Sequence, residues 1–231
     1  MSIFVISDLH LSFGQDKPMN IFGDNWNNHE KKIKEKWNKK VKSSDYVILL
    51  GDFSWATYLE DTKSDFEFLN SLPGYKILLK GNHDYWWTTL TNMKNFLAGN
   101  QFENINFLYN NSYLIDDKII VGTRGWNILA NEHDNKMILR ENERLKRSID
   151  SAISKYGDEK EIIALFHYPP ITKNQDETSE FVKTLDKYNI KKCYYGHLHG
   201  NSHNDAVIGK VNGIEYNLVS ADFTNFELIQ I

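Results

Sequence analysis

This sequence of 231 residues contains a single cysteine and carries little net charge, and its first residues do not resemble a targeting signal. The one cysteine, Cys193, excludes an intramolecular disulfide and is typical of proteins from a reducing compartment. The formal net charge of only -4 at pH 7 gives no overall attraction to nucleic acid or to an anionic membrane surface. Any binding of polyanions would therefore depend on a local basic site.

Long apolar segments are also missing from the sequence. No stretch approaches the roughly 20 residues that a membrane-spanning helix needs, so we expect no membrane-embedded role. Residues 1–8 enter a short apolar run without the basic region or cleavage site of a signal peptide, which predicts a cytoplasmic protein. Hydrophobic residues still make up 41% of the chain, enough for a substantial core, and the length favours a single domain over residues 1–231.

Short apolar runs and amphipathic stretches alternate along the first two thirds of the chain. The apolar runs predict buried strands at 3–7, 46–50, 75–79, 118–122, 162–166 and 192–195. The amphipathic stretches predict helices at 28–42, 59–72, 85–98 and 136–156. Three final short strands, at 205–211, 214–219 and 226–231, are separated by turn residues and predict antiparallel additions to a sheet. This order indicates an α/β fold in which helices cover at least one sheet.

Polar side chains directly follow five of the predicted strands. They are Asp8 and His10, Asp52, Asn82 with His83 and Asp84, His167, and His197 with His199. Because side chains alternate along a strand, we expect Asp8 and His10 to project to the same side. Taken singly, such residues are usually caps, turn formers or ordinary histidines. Ligands of α/β sheets bind beyond the carboxyl ends of the strands, however, so the five placements together predict a metal site at one edge.

The ordered set Asp-x-His, Gly-Asp, Gly-Asn-His-Asp, His and Gly-His-x-His resembles the calcineurin-like metallophosphoesterases, from Asp8 to His199 and into the closing strands. The resemblance implies a four-layer α/β/β/α sandwich of two mixed β-sheets flanked by helices, with a two-metal centre at one edge. It also implies the ligands: Asp8, His10 and His199 for one metal, Asn82, His167 and His197 for the other, and Asp52 as the bridging carboxylate.

The donor types restrict the metals. Imidazole, carboxylate and amide oxygen together suit Mn, Fe, Zn or Ni better than an all-oxygen site would, so we expect two divalent cations of this kind. Such a pair shares a water or hydroxide and clamps the phosphate during in-line displacement. The resemblance thus implies a hydrolase of phosphomonoesters or phosphodiesters.

Three further residues are candidates for contact with a substrate or for support of that contact. His83 would protonate the leaving oxygen or stabilise its charge, and Asp84 would orient His83. A simpler interpretation is that both residues cap a helix that begins near Tyr85. Arg124, in a glycine-flanked loop, would grip a phosphate in bidentate fashion, but a structural salt bridge explains it equally well.

Two motifs separate the chain from named relatives of this superfamily. Gly51-Asp52 is followed by Phe53-Ser54-Trp55, so the arginine typical of protein Ser/Thr phosphatases and the tyrosine ligand of purple acid phosphatases are both missing there. The segments around Asn82, Arg124 and His197 look most like a bacterial group of predicted phosphohydrolases. That resemblance supplies no natural substrate.

The expected partner is a small phosphate ester. Seven lysines between Lys31 and Lys42 surround one apolar stripe, with Glu35 among them, so they are better explained as a solvated helix face than as a nucleic-acid surface. A nuclease is the nearest functional variant, and a non-catalytic metal-binding scaffold of the same fold is the competing class. The sequence says nothing about oligomeric state.

Overall fold

Two β-sheets and five α-helices make up residues 1–128, 132–173 and 179–231, the part of the chain that the computed structural model describes. The helices are α1 (His29–Lys40), α2 (Lys63–Ser71), α3 (Leu90–Gly99), α4 (Glu132–Tyr156) and α5 (Glu180–Lys187). The strands are β1 (Ile3–Ile6), β2 (Tyr46–Leu49), β3 (Tyr75–Leu78), β4 (Ile105–Phe107), β5 (Tyr113–Ile115), β6 (Lys118–Thr123), β7 (Glu161–Phe166), β8 (Lys192–Tyr195), β9 (Gly209–Val211), β10 (Ile214–Leu218) and β11 (Ile229–Gln230). Within these ranges, no helix has both the length and the hydrophobicity to cross a bilayer.

Both sheets are mixed. The first has the order β11-β1-β2-β3-β4, in which β1 to β4 are parallel and β11 is antiparallel to β1. The second has the order β5-β6-β7-β8-β10-β9, with parallel β6, β7, β8 and β10 and antiparallel β5 and β9 at its edges. A parallel bridge between Ser7 and Ser220 joins the end of β1 to the chain beyond β10. The carboxyl ends of the parallel strands in both sheets therefore meet along one edge.

Three apolar clusters separate the layers. Alternate residues of β1 point to opposite faces: Ile3 and Val5 lie in the cluster between the two sheets, whereas Phe4 and Ile6 lie in the cluster beneath α1, α2 and α3. A third cluster, which includes Leu145 of α4, lies under α4 and α5 on the second sheet. The order helices, sheet, sheet, helices confirms the expected four-layer sandwich.

Most predicted elements are present, with shifted boundaries. The helix predicted at 85–98 begins only at Leu90, because the Thr89 side chain accepts a hydrogen bond of 3.2 Å from the Asn92 amide and so caps the first turn there. The stretch 59–72 divides into a short 3-10 helix, Glu60–Thr62, and α2. The sequence interpretation missed β4, β5 and α5, whose three to eight residues are too few to establish a periodic pattern.

The closing strands differ from the expected additions to one sheet. Asn212 and Gly213 both have positive φ, 48° and 82°, as a two-residue type I′ turn requires, and they join β9 and β10 into an antiparallel hairpin. Residues 200–205 form a 3-10 helix, so β9 begins later than predicted. Strand β10 is parallel to β8, and β11 crosses to the first sheet. The prediction that all three strands are antiparallel additions is therefore wrong for β10.

Candidate metal centre

The seven predicted ligand residues all lie in loops at the shared edge of the two sheets. Asp8 and His10 follow β1, Asp52 follows β2, Asn82 follows β3, His167 follows β7, and His197 and His199 follow β8. Asp8, His10, Asp52 and His167 are at most 3% exposed, whereas the other three are half-buried. The tertiary structure thus assembles residues that lie up to 191 positions apart from loops of five strands, counted from Asp8 to His199.

One cluster consists of Asp8, His10 and His199, whose potential ligand atoms all lie within 4.8 Å of one another. Nε2 of His199 is 3.3 Å from Oδ1 of Asp8 and 3.4 Å from Nε2 of His10. Oδ1 of Asp8 is buried and has no hydrogen-bond donor of good geometry within the described residues, and the His199 imidazole at 3.3 Å is the nearest imidazole to it. Because a buried carboxylate oxygen needs compensating positive charge or hydrogen bonds, this atom and its two imidazole neighbours fit a bound cation.

A second cluster consists of Asp8, Asp52 and His167. Nδ1 of His167 lies 2.9 Å from the Leu50 carbonyl oxygen, to which it donates. Burial lowers the pKa of His167 to about 3, so its other nitrogen, Nε2, carries a lone pair. That lone pair lies 2.6 Å from Oδ1 of Asn82, which also has only lone pairs to offer. Two acceptors this close would repel each other unless a cation bound both, so the pair is compatible with two ligands of one metal ion.

Asp52, a member of the second cluster, also lies close to the first cluster, and Asp8 belongs to both. Its Oδ2 atom is 3.8 Å from Nε2 of His10 and 3.5 Å from Nε2 of His167. Burial, together with the negative charges of Asp8 and Asp84, raises the pKa of Asp52 well above its ordinary value. A cation at this position would offset the repulsion between the carboxylates, so the electrostatics also fit a metal.

The charge of Asp8 is stabilised by imidazoles. Burial opposes its ionisation, but His199, joined at low pH by the protonated forms of His167 and His10, outweighs burial and holds the pKa of Asp8 below its ordinary range. Burial also lowers the pKa of His10 well below 6.5. A neutral imidazole is the form that binds a metal, so His10 and His167 are already in the required state at neutral pH.

His197 lies beside the two clusters and belongs to neither of them within the described residues. Its ring centroid is 5.1 Å from that of His167 and 4.1 Å from that of Tyr168. Its backbone N–H donates to Oδ2 of Asp8 at 2.9 Å. Burial lowers the pKa of His197 to about 4, which leaves a neutral ring next to the second cluster.

Left-handed backbone conformations position four of these residues. The φ angles are 63° for Asp8, 47° for His10, 50° for Asp52 and 72° for His197. Such conformations are uncommon outside glycine and tend to collect at functional sites. Hydrogen bonds from Asp8 N to Gly51 O and from His10 N to Asp52 O hold these turns in place. Because β1 ends at Ile6, the predicted strand alternation of Asp8 and His10 is wrong, and a loop brings them together instead.

Glycines allow the loops to approach one another closely. A Cβ atom on Gly81 would overlap the carboxylate of Asp52, and one on Gly196 would overlap Ser7 Oγ and the carboxylate of Asp8. These two glycines directly precede Asn82 and His197. The glycine in each motif is therefore needed so that two loops can pack against each other. The sequence of one loop alone does not show this requirement.

Asp84 is fully buried and does not contact the His83 imidazole. Its Oδ2 accepts hydrogen bonds from the Gly81 and Asp52 amides at 2.7 and 3.0 Å, and its Oδ1 accepts from the Phe53 amide at 2.9 Å. The Trp86 indole also donates to Oδ1, at 3.0 Å. The prediction that Asp84 orients His83 is therefore wrong: Asp84 ties the loop after β3 to the loop that carries Asp52. Capping near Tyr85 is wrong too, since α3 begins at Leu90.

His83 faces a cavity of about 390 Å³ beside the first cluster. Trp26, Trp55 and Met19 contribute apolar walls. The His83 ring centroid is 4.6 Å from that of Trp55 and 5.9 Å from that of His10. Burial lowers the pKa of His83 below 6.5, so the neutral imidazole predominates at neutral pH. The cavity combines an imidazole with aromatic surface next to the predicted ligands.

Asp222 belongs to the site but was missed from the sequence. Its Oδ1 accepts a hydrogen bond of 2.8 Å from Nδ1 of His199, and its Oδ2 lies 3.3 Å from Nε2 of His203. Burial would lower the pKa of His199, but Asp8 and Asp222 outweigh burial and raise it to about 10. Ser220 and Ala221 separate Asp222 from the predicted strand 214–219, so a rule that takes only the polar residues directly after a strand does not find it.

Arg124 forms the structural salt bridge that the sequence allowed as an alternative. Its Nη2 atom lies 3.3 Å from Oε1 of Glu141 in α4, and its guanidinium carbon lies 4.5 Å from the ring centroid of Trp126. Arg124 also lines a separate cavity with several other basic side chains.

The fold and the donor set together define a class of proteins: two mixed β-sheets flanked by helices, with Asp and His residues at the shared edge that could hold metal ions. The family model described as calcineurin-like phosphoesterase matches residues 1–201, and the chain belongs to this family. A search of curated proteins finds no match.

Solved structures are similar over the whole chain. A protein of unknown function from Aquifex aeolicus is 20% identical with a TM-score of 0.53, and the alignment covers 99% of this chain and 95% of that one. The phosphopantetheinyl hydrolase of Mycobacterium tuberculosis is 14% identical with a TM-score of 0.59, over 100% and 95% of the two chains. A protein from Thermus thermophilus is 14% identical with a TM-score of 0.56, over 99% and 97%. At these identities the likeness shows the fold alone.

Proposed function

We propose that the protein is a phosphoester hydrolase that uses two divalent cations, drawn from Mn, Fe, Zn and Ni. The proposed ligands are Asp8, His10 and His199 for one cation, Asn82, His167 and His197 for the other, and Asp52 for both. The observation that carries the proposal is the position of Asp52 Oδ2, 3.8 Å from the His10 imidazole and 3.5 Å from the His167 imidazole. One carboxylate within reach of both clusters supports a shared ligand, and the mixed nitrogen and oxygen donors favour these metals.

The protein's contribution is to fix the direction of its donor atoms. Hydrogen bonds to the Leu50 carbonyl and to Asp222 occupy Nδ1 of His167 and of His199, so Nε2 of each ring points into the site. The His83 amide donates to Oδ1 of Asp52 at 2.8 Å, which leaves Oδ2 toward the imidazoles. Cations bound there would supply Lewis acidity, which lowers the pKa of a coordinated water and neutralises phosphate charge.

His83 is the group that we propose to act on the leaving oxygen. As a neutral imidazole it can donate a ring N–H to an oxygen that gains negative charge as its bond to phosphorus breaks. The apolar walls that Trp26 and Trp55 form around the same cavity suit the organic part of a small phosphomonoester or phosphodiester.

The test combines metal content with ester hydrolysis. Protein purified without chelator is assayed for Mn, Fe, Zn and Ni and then tested on mono- and bis-(nitrophenyl) phosphate. We expect close to two equivalents of metal per chain and turnover of at least one ester. Asp52→Asn should lose turnover and metal content together, whereas exposed Asp61→Asn should match the wild type. An Asp52→Asn protein with full metal content and full turnover would refute the shared-ligand assignment.

We also propose that residues 1–231 act as one domain. The apolar cluster between the sheets takes Ile3 from one end of the chain and Val219 from near the other, which supports cooperative folding of the whole. Limited proteolysis should then give no stable fragment smaller than most of the chain.

A further inference from the structure

A second cavity, of about 340 Å³, lies between α4 and the carboxyl ends of β3 and β6. Lys80 lines it from the loop after β3, Arg124 from the end of β6, and Arg140, Glu141 and Arg144 from α4. The cavity is separate from the one that His83 faces. Its volume is within the range of small-ligand sites.

The charge of this basic cavity is strongly unbalanced, with four cationic side chains and one carboxylate. The carboxylate, Glu141, is already engaged: it accepts a hydrogen bond of 2.7 Å from the Thr123 hydroxyl and lies 3.3 and 3.6 Å from Arg124 and Arg144. Lys80 and Arg140 form no ion pair within the described part of the chain. A concave site lined by excess positive charge attracts an anion.

Two of the three arginines are held in place before any ligand binds. The guanidinium of Arg124 lies 4.5 Å from the Trp126 ring centroid, and that of Arg144 lies 5.0 Å from the Tyr109 ring centroid. Nε of Arg124 is buried and has no hydrogen-bond acceptor within the described residues. Guanidinium groups fixed in this way lose little freedom when they bind a phosphate in bidentate fashion.

The basic cavity adjoins the candidate metal centre. Lys80 precedes the proposed ligand Asn82 by two residues. On the second sheet, the Tyr168 amide donates to the Arg124 carbonyl at 2.9 Å, and Tyr168 directly follows His167. A molecule bound at the candidate metal centre would therefore have the positive charge of the basic cavity next to it, on the side of α4.

We propose that the basic cavity binds a second phosphate group of the substrate, so that the preferred esters carry one phosphate at the metal centre and another beneath α4. This inference rests on the proposed function for the first phosphate. The same oxyanion chemistry would also suit a free phosphate ion, and the test separates the two sources.

The first measurement is calorimetric titration of inorganic phosphate into EDTA-treated protein. Without metal, the candidate metal centre lacks the cations that would hold a phosphate, so the part of the binding that depends on Arg140 and Arg144 reports on the basic cavity. We expect Arg140→Gln/Arg144→Gln to weaken phosphate binding by about ten- to hundredfold, since two charge-assisted contacts are lost. Arg147→Gln, an exposed change on the same helix, is the matched control. Equal affinity in all three proteins overturns the proposal.

The second measurement compares phosphate release from glucose 1,6-bisphosphate and glucose 6-phosphate by the metal-loaded enzyme. We expect the double variant to raise KM for the bisphosphate about tenfold more than KM for the monophosphate. If phosphate binding falls but this ratio stays the same, the occupant is a free ion and the substrate proposal is overturned. If no ester is hydrolysed but phosphate binding depends on these arginines, the anion site is supported and the proposed function fails. Exposed Arg140→Gln alone, with a smaller effect in the same direction, serves if the double variant does not fold.

Discussion

The carboxylate of Asp222 holds the imidazole of His199 at 2.8 Å through Nδ1, so that Nε2 of the ring lies 3.3 Å from Asp8. Asp222 thus fixes the orientation of the imidazole of a proposed ligand, although Asp222 itself belongs to neither cluster of potential metal ligands. This pairing of carboxylate and histidine raises the basicity of a metal-binding nitrogen and fixes its direction.

Asp222→Asn should therefore weaken metal binding rather than destroy the fold. We expect a loss of about ten- to hundredfold in metal affinity, with turnover restored in part by excess metal. Metal titration followed by ester hydrolysis measures both quantities. Asp205→Asn, an exposed change nearby, is the control. Unchanged metal affinity in Asp222→Asn would mean that His199 needs no such support or is not a ligand.

His83→Ala should separate turnover from metal binding. The ring faces the cavity and has no hydrogen bond within the described residues, so its removal leaves the ligand clusters in place. We expect kcat to fall by about 10²- to 10⁴-fold while metal content per chain stays at the wild-type value. Elemental analysis gives the metal content per chain, and steady-state kinetics on the same preparation gives kcat. Loss of the metals along with turnover would show that His83 is misassigned.

Asp84→Asn should destabilise the protein as a whole. Its carboxylate accepts hydrogen bonds from the Gly81, Asp52 and Phe53 amides, and an asparagine amide group cannot accept at both positions. We expect the free energy of unfolding to fall by about 3 kcal/mol, since buried donors lose a charged acceptor. Urea unfolding of metal-free protein measures this, with exposed Asp61→Asn as the control. A fall in kcat at unchanged stability would favour the original idea that Asp84 serves His83.

Lys76, in a strand of the first sheet, should make the free energy of unfolding depend on pH in the alkaline range. It is fully buried in β3, and burial lowers its pKa from 10.5 to about 8. Below pH 8 both states are protonated and the folded state carries the full cost of a buried charge. Between about pH 8 and 10.5 the unfolded state binds more protons, so this residue's contribution to stability rises with pH.

Lys76→Met should consequently stabilise the protein at pH 7, by an amount on the order of 2 kcal/mol. The advantage over the wild type should shrink as pH rises from 8 to 10.5. Denaturant unfolding at several pH values gives the difference, and Lys63→Met, at an exposed lysine, provides the comparison. A constant difference across that range would contradict the lowered pKa of Lys76.

Short apolar runs were sufficient to predict the long central strands, because a strand buried on both faces is apolar almost throughout. The edge strands β4 and β5 carry this signal over only three residues each, with the exposed Asn106 and Leu114 at their centres, and they were missed. The start of α3 was misplaced for a different reason. Residues 85–89, Tyr-Trp-Trp-Thr-Thr, are poor helix formers, and Asp84 and Trp86 are committed to hydrogen bonds that hold the loops of the site.

The sequence by itself determined the family, the presence of buried strands between helices and the residue types at the strand ends, because these depend on local composition and order. Only the tertiary structure decided that Asp84 supports Asp52 rather than His83, that Asp222 joins His199, and that four basic side chains share one cavity. The physical reason is that each of these contacts joins segments far apart in the chain. Their partners are set by how the two sheets pack, and no local pattern records that packing.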